Sequence, residues 1–257
     1  MRVPLPILLL FICGPVMAKA DGGLTDRVGL GEASPQVLHH QWSLEAGLNL
    51  CLSRSSRSNN ATYGLPSLLM RGGLGSFAEF RMALEYLVAT QLDNYSHERG
   101  APQHGLNFLS FGTKLALVNE GKALPQTGLI IMFGLEDTGS RHYELSESLF
   151  SFRLLSDKPL DEKITLSLNS GLSGTAAKGS WQGDNTLTFG YQATEKTEGF
   201  AEAWNLWYGD YQQMGVNLGI FIRPVACLKM ELTGGVGYDG TQPQLFLNGG
   251  IALVSEQ

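Results

Sequence analysis

The stretch "AEFRMALEYLVAT" (78–90) decides how the chain is read. Ala78, Phe80, Met82, Leu84, Tyr86 and Val88 alternate with Glu79, Arg81, Ala83, Glu85, Leu87 and Ala89. Side chains on a strand point to opposite faces with a period of two. This segment therefore has one greasy face and one face carrying two glutamates and an arginine. A soluble sheet would place those faces against a core and bulk water. A membrane barrel would place them against lipid and a water-filled lumen.

The same alternation recurs in segments of about ten residues, the spacing expected of membrane-barrel strands. Twelve segments are expected: 41–52, 62–71, 78–90, 106–118, 124–134, 144–155, 162–172, 184–194, 199–208, 212–222, 227–238 and 244–254. The first sets Trp42, Leu44, Ala46, Leu48, Leu50 and Leu52 against Ser43, Glu45, Gly47, Asn49 and Cys51. Pro66 blurs the second, and the facing of the fifth and ninth is ambiguous. An even count suits a single-chain bacterial barrel. Longer polar links at 53–61, 91–105, 136–144 and 173–183 alternate with short turns at 72–76, 119–123, 156–162, 194–198 and 223–226. Outer-membrane barrels alternate in this way, with loops outside and turns in the periplasm. The link at 209–212 is shorter than that rule expects.

The polar faces favour the barrel. They carry mainly Gly, Ser, Thr and Asn with isolated charges, whereas a face in bulk water would be rich in Lys and Glu. Glycine is 32 of 257 residues, which suits a sheet protein with close backbone contacts. In lipid a sheet must close on itself, because no water can bond its edges. The fold class expected is all-β, a single transmembrane antiparallel up-and-down β-barrel of about twelve strands. Aromatics near strand ends (Trp42, Phe77, Tyr86, Trp181, Trp204, Trp207, Tyr208, Tyr211 and Tyr238) are read as interfacial girdles.

Residues 1–20 have the form of a secretory leader: Arg2, then the apolar "LPILLLFICG", then Ala18-Lys19-Ala20 before Asp21. Loss of Arg2 and Lys19 takes the formal net charge from −6 to −8. That acidity argues against a nucleic-acid partner. Three divisions follow: a leader at 1–20, a periplasmic or plug segment at 21–40, and the barrel at 41–257. Cys51 and Cys227 remain after the leader. The strand map puts them at opposite rims, beyond the ~7 Å reach of a bridge, so two free thiols are expected.

Candidate chemistry is sparse. His39, His40, His97, His104 and His142 fall in loops or before the first strand, and read as solvated loop histidines rather than a metal site. Glu79 and Glu85 lie about 20 Å apart along a strand, too far for a catalytic pair. Neither an enzyme nor a cofactor is expected, although an outer-membrane lipid-modifying enzyme is the third reading weighed. The better lead is the set of lumen-facing candidates: Glu45, Glu79, Arg81, Glu85, Lys114, Arg153, Glu202, Lys229 and Glu231. They are read either as a lumen that screens solutes or as an ion-pair network filling a closed structural barrel. Glu79 or Glu85 is expected to meet Lys114.

At "LTDRVGLGEASPQVLHHQWSLEAGLNL" (24–50) the chain resembles the MetA-pathway of phenol degradation family of bacterial outer-membrane barrels. Thr25, Asp26 and Arg27, then Glu32, Ser34 and Pro35, then Glu45 and Gly47 carry the resemblance. "FGTKL" (111–115) and "FAE" (200–202) echo it later. "VGLG" (28–31) departs from the family's acidic-polar filler, and "IALVSEQ" lacks the final aromatic that barrel assembly machinery reads. The resemblance implies an outer-membrane location in a Gram-negative bacterium, contact with outer-membrane lipid, and passage of small, hydrophobic or aromatic molecules. It implies no particular solute. Asp26, Arg27 and Glu32 are expected to pair with lumen charges if segment 21–40 enters the barrel.

Overall fold

The computed structural model describes residues 32–37, 39–54, 58–93, 100–119, 124–175 and 180–255. They form thirteen strands in one antiparallel sheet. The strands are β1 (Trp42–Arg54), β2 (Ser58–Gly73), β3 (Ala78–Asp93), β4 (Gln103–Leu106), β5 (Ser110–Val118), β6 (Gln126–Gly134) and β7 (Leu149–Pro159). They continue as β8 (Ile164–Thr175), β9 (Ser180–Thr194), β10 (Thr197–Tyr208), β11 (Tyr211–Val225), β12 (Leu228–Tyr238) and β13 (Pro243–Val254). Each long strand pairs with its chain neighbours, β1 pairs with β13, and the β2–β3 pairing completes the ring. β4 and β5 both pair with β3 and together stand where one strand was expected. The wall is therefore a twelve-stranded closed barrel.

The exterior is apolar. Leu48, Leu154, Leu168, Leu187, Leu218, Leu232 and Leu247 are all exposed, Leu218 to 67%. Charged side chains are the buried ones instead: Glu45, Arg71, Glu79 and Lys114 have at most 1% of their surface accessible. Such an inside-out distribution is unfavourable in water and correct in hydrocarbon. Among the described residues there is one sheet and no second layer for Phe80, Leu84 and Leu166 to pack against. The barrel is of the outer-membrane type, and its greasy faces meet lipid.

Several boundaries differ from the sequence reading. The strand expected at 144–155 is β7 at 149–159. Ser156, Asp157, Lys158 and Pro159, which resemble a turn, continue its ladder against β8. The loops expected at 53–61 and 173–183 are largely strand. The turn at 194–198 shrinks to Glu195 and Lys196 between β9 and β10. The strand expected at 106–118 breaks at Asn107–Leu109. There Ser140 of the β6–β7 loop replaces a strand partner: its amide donates to Leu106 O (2.8 Å), and its Oγ accepts from Leu106 N (2.8 Å). This loop lies on the inner side of the wall. A Cβ on Gly105, whose partner Leu87 faces inward, would sit 2.4 Å from Ser140 Cβ.

Pro66 has a specific use. Leu65 and Pro66 form a bulge between the pairs Gly64–Leu87 and Ser67–Glu85. Proline has no amide to give a ladder, so a bulge accommodates it. The unpaired residues also reverse the phase of β2. Thr62 and Gly64 face inward before the bulge; Ser67, Leu69 and Arg71 face inward after it.

Cys51 is a free thiol. Cys227 is disulfide-bonded. The expected absence of a Cys51–Cys227 bridge agrees with this, but the expectation of two free thiols fails at Cys227.

Candidate functional site: a charged strap across the lumen

Segment 32–37 runs inside the barrel, fixed by side chains from four strands, β3, β5, β7 and β8. The Ser34 amide and hydroxyl both donate to Asp157 Oδ2 on β7, at 2.6 and 2.7 Å. The Val37 amide donates to Glu79 Oε2 on β3 at 2.8 Å. The Lys114 ammonium on β5 donates to the Ala33 and Pro35 carbonyls at 2.7 and 3.2 Å. Asn169 Nδ2 on β8 donates to Glu32 O at 3.0 Å. Gln36 Nε2 donates to the carbonyls of Phe77 and Lys114. The strap buries Val37 and is held besides by hydrogen bonds to Asp157, Glu79 and Lys114, whose charge makes them stronger than the neutral ones from Asn169 and Gln36.

These groups belong to a chain of ion pairs. Arg71 grips Glu79 with two prongs, Nε to Oε1 and Nη2 to Oε2, both at 2.9 Å. Its Nη1 meets Glu45 Oε1 at 3.1 Å. Arg81 Nη1 lies 3.4 Å from Glu79 Oε1, and its Nη2 lies 2.7 Å from Glu32 Oε2. The other Glu32 oxygen lies 3.3 Å from Arg153 Nη1, whose Nη2 meets Asp184 Oδ1 at 2.8 Å. The sequence Glu45–Arg71–Glu79–Arg81–Glu32–Arg153–Asp184 therefore crosses the lumen from β1–β3 to β7 and β9, with Glu32 as its bridge. Charges shielded from water are tolerable when every one is paired and hydrogen-bonded.

Of the candidate residues, Glu45, Glu79, Arg81, Lys114 and Arg153 come together here, joined by Glu32, Ser34 and Pro35 of the N-terminal motif. Glu79 stands opposite Lys114 in the β3–β5 register. Glu85 lies apart and accepts from Asn49 Nδ2 at 2.7 Å. Glu202 belongs to a second group, accepting from Asn217 Nδ2 (2.8 Å) and Thr188 Oγ1 (3.2 Å). Lys229 lies on the same side of the barrel, its ammonium 3.6 Å from the Phe221 ring centroid. Glu231 is opposite Phe221 in the β11–β12 register. Thr25, Asp26 and Arg27 lie outside the described residues, as do the leader and His97. His104 Nδ1 is 2.9 Å from the Tyr86 hydroxyl.

Sequence reasoning missed Arg71, Asp157, Asp184 and the inner aromatic wall. Arg71 shares the phase of Tyr63 and Leu65 until the bulge at Pro66 reverses it. Trp204, expected in an interfacial girdle, is buried on the inner face and donates from Nε1 to Asn217 Oδ1 at 3.2 Å. It meets Phe246 edge-on, and Phe200 stacks on Phe221. Small inward residues make room for these rings: a Cβ on Gly215 would lie 2.4 Å from Trp204, and one on Gly219 2.2 Å from Phe200. The inner aromatics thus gather on β10–β13, where they share the wall with Glu202, Lys229 and Glu231.

A closed twelve-stranded barrel with an apolar exterior and a charged interior defines an outer-membrane β-barrel protein. Comparison with solved structures agrees on that class. The chain is similar to the COG4313 outer membrane channel from Pseudomonas putida F1, with a TM-score of 0.66, 10% identity, and coverage of 89% of this chain and 100% of that one. It is also similar to the beta domain of the Bordetella autotransporter Brka (TM-score 0.58, 10% identity, 84% and 100% covered). The translocator domain of the autotransporter NalP from Neisseria meningitidis gives 0.57 at 11% identity, with 84% and 90% covered. At these identities the likeness is one of fold. No protein-family model and no curated protein matches the sequence.

Proposed function

We propose that this protein is a passive outer-membrane channel for small molecules, non-catalytic and independent of cofactors, whose lumen is obstructed by its own N-terminal segment. The observation that carries the reading is the strap. Segment 32–37 crosses the barrel on hydrogen bonds and ion pairs rather than on a fused hydrophobic core. Polar contacts exchange with water and with polar solutes far more readily than packed apolar surface does. The similarity to the Pseudomonas putida channel supports the same reading. The aromatic wall formed by Phe200, Trp204, Phe221 and Phe246 supports passage of apolar or aromatic solutes, in keeping with the resemblance to the MetA-pathway of phenol degradation family.

A closed structural barrel is the second reading, favoured by the strap and by the inward β6–β7 loop. Planar-bilayer recording separates the two. Deletion of residues 21–40 is expected to raise the unit conductance of the purified barrel severalfold. Unchanged conductance on that deletion overturns obstruction by the segment, and absence of conductance in both forms overturns the channel reading. Barrel identity is checked independently by heat-modifiable gel mobility.

A further inference from the structure

The Glu32 carboxylate is bound as a ligand would be. Its two oxygens are divided between guanidinium groups from separate parts of the wall, Arg81 on β3 at 2.7 Å and Arg153 on β7 at 3.3 Å. Each arginine is pre-oriented from behind by a second acid, Glu79 for Arg81 and Asp184 for Arg153. Guanidinium groups present planar, fixed donors that match a carboxylate. Glu32 itself is only partly shielded and belongs to the strap, not to the wall.

We propose that Arg81 and Arg153 form a carboxylate-binding site in the lumen, that Glu32 is its tethered occupant, and that small organic carboxylates displace it. This rests on the channel reading and names the solute class it would recognise.

Charge arithmetic selects the class. Among the described residues the connected cluster holds four cations (Arg71, Arg81, Lys114 and Arg153) and five acids (Glu32, Glu45, Glu79, Asp157 and Asp184). Exchanging Glu32 for a free carboxylate leaves that balance untouched. A neutral solute in the same place would withdraw the carboxylate that Arg81 and Arg153 share without supplying another, which is costly in a partly shielded site. Asn169, Lys114 and Asp157 hold the backbone and Ser34 of the strap separately, so the Glu32 side chain can leave before the strap does.

The probe is benzoate, with benzamide as the isosteric uncharged control, titrated calorimetrically into the folded full-length protein in detergent. A tethered competitor weakens apparent binding according to its effective concentration. Glu32→Ala is therefore expected to bind benzoate at least about tenfold more tightly than the parent, with benzamide failing to bind either. Arg153→Gln in the Glu32→Ala background is expected to remove the gain. Arg153→Lys, which keeps the charge and loses the fork, is expected to keep only part of it. Equal benzoate affinity in the parent and Glu32→Ala overturns the proposal, as does undiminished affinity in the Arg153→Gln double variant. Calorimetry does not depend on conductance, so failure of the channel reading in the bilayer is distinguishable from failure here.

Discussion

Arg71 and Glu79 form a two-pronged ion pair, both contacts 2.9 Å, with neither side chain exposed. This pair anchors the network. Glu79 also receives the Val37 amide, and Arg71 also holds Glu45. Position and charge are thus fixed together: the strap binds a carboxylate that an arginine has already oriented.

Removing that arginine takes from Glu79 its two-pronged partner, leaving the longer 3.4 Å contact to Arg81, and takes from Glu45 its 3.1 Å contact. Arg71→Met should lower the unfolding free energy by about 3–5 kcal/mol, the usual cost of breaking a buried pair from one side. Arg71→Lys should recover only part of this, since an ammonium cannot make the fork. Denaturant titration of the barrel refolded into vesicles measures both. Equal stability of Arg71→Met and parent would show that the network contributes nothing.

The barrel was legible in the sequence because lipid on one side and a polar lumen on the other enforce strict alternation, and β3 and β8 each keep one phase throughout. What remained hidden lay where phase or composition misleads. A bulge at Pro66 reverses β2, so Arg71 carries the wrong parity for a reader counting from Tyr63. Asp157-Lys158-Pro159 has turn composition, yet the β7–β8 ladder runs through it. Trp204 resembles an interfacial aromatic. Only the pairing of β10 with β11 places it inward, beside the glycines that receive it. Within the strap, Glu32, Ser34 and Pro35 stood out by resemblance, but their partners on β5, β7 and β8 are set by closure of the ring, which no local pattern encodes.

Leu218 tests the outward face. It lies midway along β11 and is the most exposed leucine of the wall, flanked by inward Asn217 and Gly219. Leu218→Arg should cost about 2–4 kcal/mol in a bilayer, the penalty for a lipid-facing cation near the midplane. Leu218→Ala should cost much less. Vesicle refolding titrations provide the measurement, and a cost near zero for arginine would place this face in water.

The β12–β13 turn should respond to acid. Burial works to raise the Asp239 carboxyl, but hydrogen bonds from the Thr241 hydroxyl (2.7 Å), the Thr241 and Gln242 amides (2.9 and 2.8 Å) and Gln242 Nε2 (3.2 Å) outweigh it. They hold the carboxyl at about 2, below its ordinary 3.8. The folded value lies under the unfolded one. Stabilisation of the turn is therefore complete above about pH 4 and disappears as pH falls through about 2. The Thr241 amide resonance should move over that window and stay still in Asp239→Asn. A midpoint near 4 in the parent would show that the turn does not bind the charged form.

The aromatic wall depends on the absence of side chains opposite it. A Cβ on Gly215 would lie 2.4 Å from Trp204 Cζ2 and 2.4 Å from the Val236 carbonyl oxygen. The tryptophan could rotate away, but the carbonyl belongs to the adjoining strand and cannot move without disturbing the ladder. Gly215→Ala should therefore destabilise the barrel by about 1–3 kcal/mol, as overpacking does, and shift Trp204 toward water. Gly234→Ala is the matched control. Its nearest neighbour would be the Phe246 carbonyl oxygen at 3.8 Å, an ordinary contact, so little change is expected. A variant with Trp204 as its sole tryptophan reports the difference: red-shifted emission with Gly215→Ala and unchanged emission with Gly234→Ala. Identical emission and stability for the two substitutions would remove the glycine bed as the reason the rings lie where they do.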